Sequence, residues 1–282
     1  MRESTFMGRK LYMNFDSRHV NEMSYTEFVA FINQTNVPPG SYSTLTKWRN
    51  NSNLNAESRL LEVACTTGFS INSLAKETGC EGVGIDLCTD SINQARINAK
   101  QMGLAHTVQF TAVDGTMYES PDKFSHIVVG AGLGFFPQPE KMVENICRLF
   151  KRSGYLLASP FYTVEDIPEK MLARAATVFG ITPTTQPYKE VMQLYKGFEV
   201  YFEERLRPLQ ETEKELHHYC ESTVERASRL YNLEDECLKE VMYDRLYSIK
   251  KMSNELRQYQ GYNVLVLHYD SQHYPNRYVE LF

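Results

Sequence analysis

The sequence predicts an α/β protein on a doubly wound, mostly parallel sheet, with short apolar segments alternating with helix-period segments from Arg59 onward. Such alternation implies parallel strands joined by right-handed crossovers. The strand segments are also apolar along most of their length, as strands covered on both faces are. Three consecutive strands end in or near an acid, at the edge where open α/β sheets bind ligands.

Residues 1–55 are polar and aromatic and read as an N-terminal helical cap. Ser24-Tyr25-Thr26-Glu27 is a capping-box pattern ahead of the apolar set Phe28, Val29, Phe31 and Ile32. Asn36-Val37-Pro38-Pro39-Gly40 breaks that helix, and a second over 43–49 carries Trp48, the only tryptophan. A core over 56–160 follows. It opens with a strand over 59–64, a helix over 69–77 stopped at Gly79 and a strand over 82–87. Asp90 then caps a helix with Ile92, Ala95, Ala99 and Met102 on one face. Strands over 107–113 and 124–130, a helix over 140–150 and a fifth strand over 155–159 complete the core.

Residues 161–282 supply the remainder of the sheet. Helices are expected over 169–179 and 188–195, and a strand over 198–206. An insertion over about 207–260 holds two amphipathic helices. One places Leu216, Tyr219, Cys220, Val224, Ala227 and Leu230 on one face; the other does so with Leu238, Val241, Met242, Ile249 and Leu256. An apolar strand over 262–269 closes a seven-stranded sheet.

Composition narrows the function classes. A net charge of -5 gives no bulk attraction to nucleic acid or anionic membrane. Residues 1–10 carry charges and no apolar stretch, so no signal peptide is expected. No segment has about 18 consecutive apolar residues, so no membrane span is expected either. The six cysteines form no C-x-x-C pair and read as free thiols of a cytoplasmic protein. His217 and Cys220 share a helical face without a second ligand pair, so no metal site is expected. His126 reads as a core histidine with its hydrogen bonds satisfied.

The chemistry is concentrated in Glu62-Val63-Ala64-Cys65-Thr66-Thr67-Gly68. An acid near the end of a strand precedes a turn of small residues, which lets a ligand approach the backbone closely. Asp86 ends the second strand, where a carboxylate can accept both hydroxyls of a ribose. Asp114 ends the third, in Val113-Asp114-Gly115-Thr116.

On these residues the segment over 59–160, about a third of the chain, resembles the cofactor half of the class I S-adenosylmethionine-dependent methyltransferases. Their first-strand signature often ends Ala-Cys-Gly-Thr-Gly, and here Ala64-Cys65-Thr66-Thr67-Gly68 stands in that place. Gln138-Pro139-Glu140-Lys141 and the stretch over 147–154 are similar to the family's segment before strand five. The resemblance implies the Rossmann-like methyltransferase fold with S-adenosyl-L-methionine as cofactor and S-adenosyl-L-homocysteine as product. It implies that Glu62 orients the turn and helps hold the methionine amino group, and that Ala64, Cys65, Thr66, Thr67 and Gly68 line the methionine moiety. Asp86 would bind the ribose, Leu87 would pack on the adenine, and Asp114 with Gly115 and Thr116 would take the adenine amino group. Gly130, Ala131 and Gly132 would face the reactive methyl. Thr66 departs from the family's glycine, and a left-handed φ there would strain a β-branched residue.

The loop Gly130-Ala131-Gly132-Leu133-Gly134-Phe135-Phe136 lacks the Asn/Asp-Pro-Pro-Tyr/Phe sequence of enzymes that methylate amines of DNA bases or protein glutamine. The expected acceptor is a small molecule or a natural-product peptide, methylated on O or N. Trp48, Phe135, Phe136, Phe161 and Tyr162 are expected to line its pocket, and His19, Glu165 and Asp166 are the candidate bases by location. The cap and the insertion would form a lid, and a homodimer is compatible with the sequence. Two other readings compete: a non-catalytic S-adenosylmethionine-binding module, and a nicotinamide-dependent oxidoreductase. The latter predicts G-x-G-x-x-G, which Ala64 to Phe69 do not match.

Overall fold

Arg59-Leu60-Leu61-Glu62-Val63 has no polar face, so it is stable only between two strands and two helical layers. It forms β1 (Arg59–Val63), parallel to β2 (Glu81–Asp86) on one side and β4 (Phe124–Gly130) on the other. The computed structural model describes residues 17–34 and 37–276. Residues 1–16 of the expected cap, with Asn36 of its helix break, lie outside that range.

Outward from β2 lies β3 (Val108–Ala112), and outward from β4 lies β5 (Phe150–Ala158), both parallel to their neighbours. β8 (Gln260–Asp270) pairs antiparallel with β5, and β7 (Glu199–Leu206) pairs antiparallel with β8.

Among the described residues the sheet has eight strands, where seven were expected. The extra one is β6 (Phe161–Thr163), whose register on β8 continues that of β5: Ala158 faces Leu265 and Phe161 faces Tyr262. Pro160 has no N–H for the ladder and interrupts the line, while its carbonyl still accepts from Asn263 N–H at 3.0 Å. β5 also begins earlier than expected. Its first half, Lys151-Arg152-Ser153-Gly154, is polar, and pairing of Ser153 with Asp270 makes it strand.

One face of the sheet is covered by α3 (Ser41–Ser52), α4 (Phe69–Thr78) and α5 (Thr89–Gln101). Leu45, Trp48, Ile71, Leu74 and Ile92 pack there on Leu60, Val128, Leu157 and Val264. The other face is covered by α6 (Pro139–Leu149) and α8 (Tyr188–Val191) with the 3-10 turn Met192–Tyr195. Met142, Ile146, Val191 and Tyr195 pack on Leu61, Ile127, Leu156 and Leu265.

Asp90 does not cap α5 as expected. The N-cap is Cys88, and Asp90 sits inside the first turn. The Asp86 carboxylate accepts the Cys88 N–H at 2.8 Å and holds that residue extended, so the helix starts two residues earlier.

A third helical layer joins distant parts of the chain. α1 (Ser17–Glu22) and α2 (Tyr25–Phe31) pack through Val20, Phe28, Phe31 and Ile32. Their partners are Cys220, Val224, Leu238, Met242 and Ile249 of α9 (Glu213–Tyr231) and α10 (Glu236–Leu256). Burying each large apolar side chain contributes about 1.5–3 kcal/mol, enough to hold short helices that would not form alone. The expected capping box is formed: Ser24 Oγ accepts from Glu27 N–H at 3.3 Å, and Glu27 Oε2 accepts from Ser24 N–H at 2.7 Å. α7 (Glu169–Phe179) packs through Ala175 on Met252 and Leu256. Leu230, expected on the apolar face of α9, is exposed at its end. Among the described residues no helix is long and apolar enough to cross a membrane.

Candidate active site

The strand order reverses between β1 and β4, so the connections leaving them run to opposite sides and open a crevice at their carboxyl ends. The turn over 64–68 enters that crevice with three left-handed residues: Ala64 (φ 55°), Thr66 (φ 48°) and Gly68 (φ 79°). A Cβ at Gly68 would lie 2.9 Å from the Phe110 ring, so only glycine fits. At Thr66 the strain expected from a β-branched residue is present, of order 1–3 kcal/mol. The turn is held by its neighbours: Cys65 N–H donates to Ile85 O at 3.0 Å and Thr66 N–H to Asp86 Oδ2 at 2.9 Å. The Thr67 hydroxyl donates to Gln34 O at 3.1 Å.

Three carboxyl groups end these strands in three different environments. Glu62 is buried, and its Oε2 accepts from Ile71 N–H at 3.0 Å, tying β1 to the first turn of α4. Burial raises its pKa to about 7 against the pull of bonds from Ser70 and Ile71.

Asp86 accepts Thr66 N–H on Oδ2 and Cys88 N–H on Oδ1, which fixes the rotation of the carboxylate. Each oxygen keeps a second acceptor direction. Burial pushes this carboxyl up, while N–H bonds from Cys88 and Thr66 pull it down.

Asp114 is exposed, and its Oδ1 accepts both the N–H and the hydroxyl of Thr116 at 2.8 Å. Those bonds hold it below the usual carboxylate range. Val113 N–H donates to Asp86 O at 2.8 Å, so the two aspartates end adjacent strands.

Leu87 is 71% exposed beside Asp86. It borders a cleft of about 380 Å³ between Leu87, Cys88, Thr89 and Asp90 on one wall and Ser24, Thr26 and Glu27 of the cap on the other. A fixed carboxylate, a protruding apolar side chain and a cleft of this size fit a nucleoside.

Across the crevice, Gly130 is left-handed (φ 51°) and its carbonyl accepts from Ser159 N–H at 2.7 Å. A Gly132 Cβ would lie 3.8 Å from Ala64 Cβ, so this loop and the β1 turn adjoin. Ala131 and Gly134 line a second, narrow cavity with Phe135, Pro160, Phe161, Thr184, Gln186, Val191, Leu194 and Tyr195.

Phe135 and Phe161 therefore line one cavity, and the other residues expected in the acceptor pocket do not join them. Trp48 is fully buried, its indole N–H donating to Ala158 O at 3.2 Å, and belongs to the packing of α3 on the sheet. Tyr162 is buried with its ring edge-to-face against Tyr188, and Phe136 packs against the core. His19, Glu165 and Asp166 are exposed and line neither cavity. His126 is buried, with Nδ1 at 2.9 Å from Ser125 Oγ and Nε2 at 2.9 Å from Ser52 O. His217 stacks on Tyr247 at the surface, whereas Cys220 is buried.

A family model described as a methyltransferase domain matches residues 54–227. The chain belongs to this methyltransferase domain family. A phosphatidylethanolamine N-methyltransferase of Cereibacter sphaeroides is 26% identical over 147 residues, 50% of this chain and 71% of the relative. A ubiquinone biosynthesis O-methyltransferase of Paracidovorax citrulli is 27% identical over 138 residues, 48% of this chain and 57% of the relative. The matched region thus spans only part of the length of these curated relatives. An S-adenosylmethionine-dependent methyltransferase from Geobacter sulfurreducens, crystallised with S-adenosyl-L-homocysteine, has a TM-score of 0.63. That match covers 86% of this chain and 96% of the other at 21% identity, which shows a shared fold.

Sequence reasoning missed several polar residues that hold the site. Asn145 of α6 is buried and donates to Gly115 O at 2.8 Å and Tyr118 O at 3.0 Å, fixing the loop after β3. An asparagine on the apolar face of an amphipathic helix was its only signal. Gln34 and Asn98 meet at Thr67, with Asn33 bonded to Asn98 behind them, and nothing in their spacing announces it.

Proposed function

We propose that the protein transfers a methyl group from S-adenosyl-L-methionine to oxygen or nitrogen of a small-molecule or natural-product peptide acceptor. The observation that carries this reading is the Asp86 carboxylate, pinned by Thr66 N–H and Cys88 N–H beside exposed Leu87 at the end of β2, the strand next to the reversal point of the sheet. When bound, the cofactor supplies a methyl group already activated on a sulfonium.

In this reading the chain binds, orients and excludes water. Asp86 accepts from the ribose hydroxyls, Leu87 covers the adenine face, and Asp114 with Gly115 and Thr116 meets the adenine edge. Glu62 and residues 64–68 hold the methionine end, and Gly130 and Ala131 face the methyl. The acceptor approaches along Phe135 and Phe161, which share a narrow cavity with Ala131. Orientation of this kind can lower a barrier by about 7–11 kcal/mol. The N-terminal helices with α9 and α10 act as the lid. The free cysteines, with Cys65, Cys80 and Cys220 buried, support a cytoplasmic location. Homodimerisation remains part of the proposal.

Thermal unfolding with S-adenosyl-L-methionine, S-adenosyl-L-homocysteine and NAD in parallel tests the cofactor. At about 100 times its dissociation constant, each sulfur compound should raise Tm by about 5–10 °C, with NAD inert. A shift with NAD alone, or with none of the three, overturns the reading.

A further inference from the structure

The hydrogen bonds around Thr67 join three separate parts of the chain. Asn98, inside α5, donates through Nδ2 to Thr67 O at 2.9 Å and to Asn33 Oδ1 at 3.0 Å. Its Oδ1 accepts from Asn33 Nδ2 and from Gln94 Nε2, both at 3.0 Å. Both donors and both acceptor directions of this one amide are used. Thr67 returns to the cap through its hydroxyl on Gln34 O.

The network continues into the insertion. Asn33 has a left-handed backbone (φ 47°), and its carbonyl accepts from the Arg226 guanidinium of α9 at 2.9 Å. Gln94 Oε1 accepts from the Tyr231 hydroxyl at 3.0 Å, and the Tyr231 ring stacks on Phe31 of α2 with centroids 5.6 Å apart.

We infer that Asn98 is a positioning residue that couples the seating of the cap to the shape of the cofactor turn. Thr67 adjoins Thr66, whose N–H holds Asp86, so moving the Thr67 carbonyl disturbs one of the two bonds that fix that carboxylate. The cap that Asn98 anchors through Asn33 also carries Ser24, Thr26 and Glu27, the far wall of the cleft opposite Leu87. One amide is therefore tied to both walls of the same cleft, to one through Thr67, Thr66 and Asp86 and to the other through Asn33. A ligand between them leaves when the cap lifts, and the cap lifts when the bonds to Asn98 break. The inference rests on the proposed cofactor site, because the occupant of that cleft is the proposed cofactor.

The test measures S-adenosyl-L-homocysteine dissociation by stopped flow, together with amide hydrogen exchange of residues 17–34 and 66–68. In Asn98→Ala the dissociation rate should rise about tenfold, and the cap should exchange faster in the ligand's presence. Asn98→Asp keeps the size but turns an oxygen toward Thr67 O and Asn33 Oδ1, so it should release ligand faster than the alanine variant.

Tyr231→Phe removes one hydroxyl at the outer end of the network, without touching the turn. It should raise the dissociation rate about two- to threefold, which also keeps the test usable if the Asn98 variants do not fold. Wild-type dissociation in Asn98→Ala or in Tyr231→Phe overturns the inference, as does faster cap exchange with unchanged dissociation. If wild-type protein does not bind S-adenosyl-L-homocysteine, the cofactor reading fails, and coupling is read in the ligand-free protein. There, Asn98→Ala should speed exchange of residues 17–34 and 66–68 together, and acceleration confined to the cap overturns it.

Discussion

On the β1–β2–β3 side of the crevice, the strand ends carry carboxylates held by hydrogen bonds from main-chain N–H groups. On the β4–β5–β6 side, mostly aromatic and aliphatic side chains from β6, a short helix and 3-10 turns line a narrow cavity. Glu62, Asp86 and residues 64–68 sit at fixed offsets from strand ends, and the backbone ladder places them. Phe135, Phe161, Gln186 and Tyr195 come from four segments and meet only where those segments fold over the sheet. The first side suits an invariant ligand and the second a variable one, because loops change at less cost to the scaffold than strand ends do.

If the two sides divide labour in this way, damage to each should separate. The largest effect is expected for Asp86→Ala. Removing a carboxylate with two acceptor directions should weaken S-adenosyl-L-homocysteine binding about 100-fold or more, by calorimetry.

Next is Glu62→Gln, read by pH. The folded Glu62 pKa is about 7, above the ordinary carboxylate value of about 4.3. Between those values the folded state keeps a proton that the unfolded chain has released. The stability Glu62 contributes is therefore full below about pH 4.3 and lost as pH rises to about 7, up to about 3 kcal/mol in all. Glutamine still accepts from Ile71 N–H and has no proton to lose. Thermal unfolding of the variant should lack that component of the fall, so the difference between wild type and variant follows this window.

Phe161→Ala tests the other side. It should lower stability by about 1–2 kcal/mol, since the ring is only partly buried, and leave S-adenosyl-L-homocysteine affinity within about twofold. A tenfold loss of that affinity would show that the two sides are not independent. The smallest effect is expected for Thr66→Gly. Relief of the left-handed strain is offset by the greater freedom of glycine in the unfolded chain, leaving a gain under about 1 kcal/mol in unfolding measurements.

The cofactor side was legible because its signals are local. A strand that ends in an acid, a turn of small residues and a helix stop at glycine each follow from neighbouring residues, and the ends of β1, β2 and β4 fall within about a residue of expectation. Asp90 was misread because the helix begins two residues before it was expected to. Asp86, at the end of β2, fixes Cys88 as the N-cap through its backbone N–H and leaves Asp90 inside the first turn. Trp48 shows the opposite failure. A lone tryptophan among polar residues looked like a ligand wall, but the indole is fully buried against β5 and donates to its backbone. An aromatic side chain suits a core and a pocket equally well, and sequence does not say which of the two its helix faces.

By itself the sequence determined the alternation of strands and helices, the crevice, and the acids that end three strands. All of these follow from periodicity and from turn chemistry acting over a few residues. The tertiary structure decided what distance in sequence hides. It joined the cap to α9 and α10, placed Phe135 and Phe161 on one cavity, and brought Asn33 to Asn98 and Asn98 to Thr67. Those contacts depend on how helices pack on a sheet, where burial fixes which faces meet and each polar group must find its partner across the chain.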